Sequence, residues 1–116
     1  MQLNDYQAQA LTTDTYDKDG GMVPVTDLAF INKVLGLTGE SGEVAEKIKK
    51  ILRNNDGVMS EVDRRELIKE LGDVLWYLAT MARYLGEDLE TVAKVNLEKL
   101  ADRKKRGAIK SAGDNR

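Results

Sequence analysis

Apolar residues return every three or four positions over most of the chain, and the alternating β-branched pattern of a half-buried strand is nearly absent. The clearest run is Leu67, Leu71, Val74, Leu78, Met81 and Leu85, spaced 4, 3, 4, 3, 4. That spacing draws one continuous stripe along a helix. On a strand the same residues would scatter over both faces, because side chains alternate there at every second position. Only one proline, Pro24, interrupts the chain. The expected fold is therefore all-α.

Capping and turn residues divide the chain into four helices. Asn4 can cap a short first helix over about 4–11, and the Gly-containing loop Asp17-Lys18-Asp19-Gly20-Gly21 follows it. Thr26 or Asp27 can cap a second helix, which runs to about Arg53 and can break near Gly36. After the turn cluster Asn54-Asn55-Asp56-Gly57, Ser60 caps a third helix with Glu61 and Asp63 at its positive end. Gly86 can close that helix in the left-handed conformation, and Asp88 caps a fourth that ends near Gly107. Four helices joined by short loops read as a four-helix bundle. With 116 residues the chain makes one domain, expected over 1–107, with 108–116 as a basic and polar flexible tail. A core of this size is modest, so association with a second copy would help it.

Several chemistries are excluded by composition. There is no cysteine, hence no thiolate nucleophile and no zinc–thiolate site, and there is no histidine, the commonest general base and metal ligand. A net charge of −2 gives no general attraction to nucleic acid or to an anionic membrane. No run of 18 apolar residues is present, and the N-terminus lacks a basic segment followed by an apolar one. The expected location is the cytoplasm, that of a host if the gene is viral. The basic stretch Arg103-Lys104-Lys105-Arg106 suits the negative end of a helix dipole, which leaves a phosphate role open for one of its residues.

The chemistry-bearing feature is a short internal repeat. Glu40-Ser41-Gly42-Glu43-Val44 and Glu70-Leu71-Gly72-Asp73-Val74 share the pattern Glu-x-Gly-acid-Val at an offset of 30. The match extends outward, with Leu37 answering Leu67, Ile48 answering Leu78 and Ile51 answering Met81. Residues i and i+3 lie about 60° apart around a helix, so each acidic pair projects to one side. If the two helices pack antiparallel through their apolar stripes, Glu40, Glu43, Glu70 and Asp73 can converge at one edge. Each interior glycine costs about 1 kcal/mol against alanine. Close approach of another backbone at Gly42 and Gly72, or room beside the acids for a metal and its ligand, would account for them. Four converging carboxylates repel unless a cation sits among them. Oxygen donors without nitrogen or sulfur favour Mg²⁺, with Mn²⁺ as a substitute, and such a site suits phosphate chemistry. A di-iron carboxylate bundle needs Glu-x-x-His pairs, which this chain cannot supply.

Other readings compete for the same residues. Glutamates at this spacing are common on solvated helices, where Glu43 could pair with Lys47, Glu46 with Lys50, and Lys69 with Asp73. Lys47 and Lys50 could instead reach phosphate oxygens as point charges. Trp76 falls opposite the apolar stripe, and an exposed tryptophan there suggests an oligomer interface or a surface on which a base can stack.

The four acids, with 26 residues between Glu43 and Glu70, resemble the signature of the all-α MazG-like nucleoside triphosphate pyrophosphohydrolases. Tyr6-Gln7 with Ala10 is similar to the opening helix of short, often phage-encoded members. The blocks 36–46 and 70–78 are similar to the two core blocks, and 96–103 to the C-terminal block. The resemblance implies a MazG-type oligomeric four-helix fold. It also implies hydrolysis of nucleoside triphosphates to monophosphate and pyrophosphate by water attack on the α-phosphorus, in nucleotide-pool control. Glu40, Glu43, Glu70 and Asp73 match the family's Mg²⁺ ligands, and one of them, through a bound water, would serve as general base. Asn96, Lys99 and Arg103 match positions implicated in substrate contact. A homodimer or homotetramer, with the site completed by a neighbouring chain, is implied too. Two departures stand out. Gly39 occupies a position where some members carry a further glutamate, and Lys104 and Lys105 stand where related sequences often turn at a proline. The alternatives are a non-catalytic helical oligomerisation or regulatory module with an acidic metal-binding surface, and a phosphohydrolase that releases inorganic phosphate.

Overall fold

The computed structural model describes residues 1–16 and 20–107. They form α1 (Leu3–Leu11), α2 (Leu28–Asn55), α3 (Glu61–Tyr84) and α4 (Leu89–Arg106), with no strand among them. The expected flexible tail over 108–116 lies outside the described residues. The all-α reading holds, and three of the expected caps form. Asp27 accepts the Ala29 N–H at 2.8 Å, Ser60 accepts the Asp63 N–H at 3.1 Å, and Asp88 accepts the Thr91 N–H at 2.7 Å.

Two boundaries differ from expectation. Helix α1 begins a residue before Asn4, capped at Gln2, whose N–H is held by Asp5 at 2.9 Å. Asn4 serves another helix instead. Its Oδ1 accepts the Glu90 N–H at 3.0 Å, while Gln7, one turn on, accepts the Leu89 N–H at 3.0 Å through Oε1. The first N–H groups of α4 are orphans that need outside acceptors, and α1 supplies two of them. Gln7 also donates to the carbonyls of Ala79 at 3.0 Å and Glu87 at 3.3 Å, so one buried amide ties α1 to the α3–α4 corner. Helix α2, for its part, does not break at Gly36 but runs unbroken to Asn55. The reason for that glycine is steric: a Cβ there would lie 2.2 Å from the Tyr77 ring.

Helices α2 and α3 lie antiparallel, and the expected stripe divides: Leu67, Val74 and Met81 are half-buried, Met81 against the core. The inner face of α3 carries Trp76, Tyr77, Thr80 and Tyr84, with Tyr84 and Phe30 of α2 at the centre of the apolar core. Of the predicted stripe, Leu71 (56% exposed), Leu78 (41%) and Leu85 (52%) point to solvent. The aromatic rings fill the groove between the helices, and the leucines are displaced to the opposite side.

Trp76 is accordingly not an exposed surface residue. Its indole N–H donates to Thr13 Oγ1 at 2.8 Å and to the Ala10 carbonyl at 3.2 Å, and its ring meets Tyr77 edge-on. Beside it lies a buried charge. Lys33 Nζ, 1% exposed, is 2.9 Å from Asp14 Oδ1, and Tyr84 OH donates to Asp14 Oδ2 at 2.5 Å. The rings of Tyr16, Trp76 and Tyr84 surround the ammonium at 4.7, 5.0 and 5.5 Å. A fully desolvated lysine is tolerated only with such a counter-ion and such ring faces.

Helix α4 packs on α1 and α3 and makes no contact with α2 among the described residues. Only Leu89 of α4 is buried, and Val92, Val95 and Leu97 are exposed.

Candidate metal centre

The antiparallel pairing of α2 and α3 sets Glu40 against the first acid of the second repeat. Carboxylate oxygens of Glu40, Glu70 and Asp73 lie within 4.8 Å of one another. Opposite ligands on Mg²⁺ are about 4.2 Å apart, so small rotamer changes bring the three oxygens onto one ion. The donors are all carboxylates, which fits a hard divalent cation. The burden of three acids in one place is visible in the Glu40 carboxyl, which is pushed above its ordinary value. Desolvation is the first cause, followed by the charges of Asp73 and Glu70.

Glu43 is not in the close group. It is exposed, one turn along α2 from Glu40, and near enough to add to the repulsion on that carboxyl. Spacing alone places Glu43 and Glu40 alike, and the rotation of α2 against α3 is what separates them. Gly42 and Gly72 have no atom within 4 Å of where a Cβ would stand. Close approach of another backbone within the described chain is therefore not their reason, and they leave open space next to the acids.

The neighbourhood contains groups that spacing did not reveal. Lys47 does not pair with Glu43; its Nζ lies 3.5 Å from Glu70 Oε1, across the helix interface. Glu46 pairs with Lys49 at 3.9 Å rather than with Lys50, and Lys69 with Glu66 at 3.0 Å rather than with Asp73. Half-buried Tyr6 of α1 faces the cluster: burial, then the charge of Asp73, raises its phenol above the ordinary value. The early Tyr6-Gln7-Ala10 grouping was the only sequence sign of that helix's place.

The C-terminal candidates stand apart. Asn96 and Lys99 are exposed on α4. Arg103 is half-buried, and its Nε is buried without a hydrogen-bond partner among the described residues. Among the described residues α4 packs on α1 and α3 rather than on α2, the helix that carries Glu40. The basic residues 103–106 lie in the last turn of α4, where cations oppose the dipole's negative end, and Arg106 pairs with Asp102 at 2.8 Å.

Comparison with known proteins bears on the family. A mycobacteriophage protein, the Gene 37 protein of Mycobacterium phage L5, is 45% identical over 116 residues, the full length of both chains. No solved structure matches at a significant level. The MazG nucleotide pyrophosphohydrolase domain matches residues 30–108, a span that holds both acidic repeats and α4. The chain belongs to the MazG nucleotide pyrophosphohydrolase family.

Proposed function

We propose that this protein hydrolyses nucleoside or deoxynucleoside triphosphates to the monophosphate and pyrophosphate. The observation that carries the reading is the meeting of Glu40, Glu70 and Asp73 from two antiparallel helices, within a chain of this family. These three would hold Mg²⁺, with Mn²⁺ as a substitute, and Glu43, one turn away and outside the close group, would reach the ion through a rotamer change or a water. The ion, when bound, neutralises phosphate charge and lowers the pKa of a water. A water oxygen forms the new bond to the α-phosphorus. The bridging bond from that phosphorus breaks, and pyrophosphate leaves with the bridging oxygen. The proton released by the water passes, through a second water, to one of the four acids.

Asn96, Lys99 and Arg103 are the proposed substrate contacts. Their separation from α2 within one chain supports a homodimer or homotetramer in which α4 serves a neighbour's carboxylates. The exposed leucines of α3 support the same reading, since a monomer would leave them in water. The proposed setting is nucleotide-pool control in the cytoplasm, a host's if the gene is viral. Neither nucleic acid nor membrane is a proposed partner, and no helix among the described residues is long and apolar enough to cross a membrane.

The test is product analysis over all canonical ribo- and deoxyribonucleoside triphosphates, with Mg²⁺ and with chelator. Monophosphate and pyrophosphate, formed only with metal, are expected. Release of inorganic phosphate would change the bond that is cut. No cleavage with either Mg²⁺ or Mn²⁺ would leave a non-catalytic oligomerisation module.

A further inference from the structure

Beyond Lys47, the partner of Glu70, a cleft of about 400 Å³ with mixed polar and apolar walls opens between the last turns of α2 and the first turns of α3. Lys47, Lys50 and Asn54 line it from α2 over an Ile51 floor, and Asp63 and Glu66 line it from α3. We propose that this cleft holds the pyrophosphate end of the substrate, and afterwards the pyrophosphate product; this rests on the triphosphate-cleaving reading above.

The cleft's two acids balance its two lysines in charge, but each acid has a partner of its own. Asp63 is engaged at its own helix cap, accepting the Ser60 N–H at 3.0 Å, and Glu66 is 3.0 Å from Lys69. Lys50 makes no ion pair among the described residues, so its ammonium is open to a ligand. Lys47 pairs with Glu70, itself one of the three clustered carboxylates. A carboxylate that gives its oxygen to a divalent cation has less to offer an ammonium at 3.5 Å. That ammonium is then placed for an anion on the same ion.

The direction of the chain follows from what surrounds the cluster. On one side stand the Tyr6 phenol of α1 beside Asp73 and the Tyr77 ring pressed onto Gly36. On the other side α2 and α3 part into the cleft. Lys50 lies three residues beyond Lys47, about 4.5 Å along the axis. Lys47 and then Lys50 thus line successive phosphates of a chain that starts at the metal. The cleft's volume is at the small end for a ligand site and ample for a diphosphate.

The experiment is calorimetric titration of the intact protein, in Mg²⁺, with inorganic pyrophosphate and separately with a nucleoside monophosphate, for wild type, Lys50→Ala and Lys50→Arg. Lys50 is exposed, so its replacement should leave the fold intact. Lys50→Ala is expected to weaken pyrophosphate binding about tenfold, the loss of one charge-assisted contact, and to leave monophosphate binding unchanged. Lys50→Arg should restore most of the pyrophosphate affinity. Unchanged pyrophosphate binding in Lys50→Ala, equal weakening of both ligands, or no pyrophosphate binding by wild type would each overturn the cleft assignment. Cleavage of triphosphates with Lys50-independent pyrophosphate binding would leave the reaction standing and remove the cleft. Lys50-dependent pyrophosphate binding without cleavage would do the reverse.

Discussion

Asp73 and Glu46 are both acids on the surface of long helices, and only their surroundings separate them. Asp73 shares a space with Glu40 and Glu70, whereas Glu46 pairs with Lys49 on its own helix. Asp73→Asn is expected to abolish triphosphate cleavage with an unchanged helical circular dichroism spectrum, and Glu46→Gln to keep near-normal activity. Full activity in Asp73→Asn would remove the proposed metal site. A second residue-scale outcome concerns Asp14. Burial alone would raise its carboxyl, but hydrogen bonds from Tyr84, Lys33 and the Tyr16 N–H bring it below the ordinary value. A carboxyl depressed in the folded state contributes stability above its unfolded value, near pH 4. That contribution is lost as pH falls through the lower folded value. Thermal melts of the wild type should therefore drop below about pH 4, and Asp14→Asn should flatten that drop. At neutral pH, breaking the pair by Lys33→Met should cost about 3–5 kcal/mol, because an unpaired carboxylate is left buried. A loss below 1 kcal/mol by denaturant titration would mean that water reaches Asp14.

Between elements, contact geometry decides which glycine matters for folding. At Gly36 an added methyl meets the Tyr77 ring, so Gly36→Ala should destabilise by about 1–3 kcal/mol despite alanine's better helix propensity. At Gly42 the space is open, and alanine should stabilise the helix by up to about 1 kcal/mol. Melting temperatures of the two variants should move in opposite directions, and a shared direction would show that Tyr77 yields freely. If Gly42→Ala raises stability while removing activity, the space beside the acids belongs to a ligand or a neighbouring chain. The caps explain why helix ends were legible: Asp27, Ser60 and Asp88 act on N–H groups two or three residues away. Asn4 was misread because its side chain caps a helix 86 residues on, which local rules do not see.

For the whole molecule the predicted stripe acquires a different meaning. Leu71, Leu78 and Leu85 keep helical periodicity, yet about half of each is left uncovered by the described residues. Replacing Leu71 and Leu78 by lysine should shift sedimentation to the monomer and lower activity if α4 of a neighbour completes the site. Wild-type sedimentation as a monomer at micromolar concentration would contradict the oligomer.

What the sequence determined by itself is what local physics controls. Period and capping gave four helices. The matched Glu40 and Glu70 repeats, in a chain without histidine or cysteine, gave a carboxylate site. Tertiary structure decided which face of α3 turns inward. An amphipathic stripe states only that a face wants cover, not whether the same chain or another provides it. The inward face went to Trp76, Tyr77 and Tyr84, whose rings fill the groove over Gly36 and enclose Lys33. That rotation brought Glu40, Glu70 and Asp73 together, left Glu43 outside and set Lys47 against Glu70. Each of these depends on the relative rotation and register of two helices, which is fixed by the fit of side chains far apart in sequence.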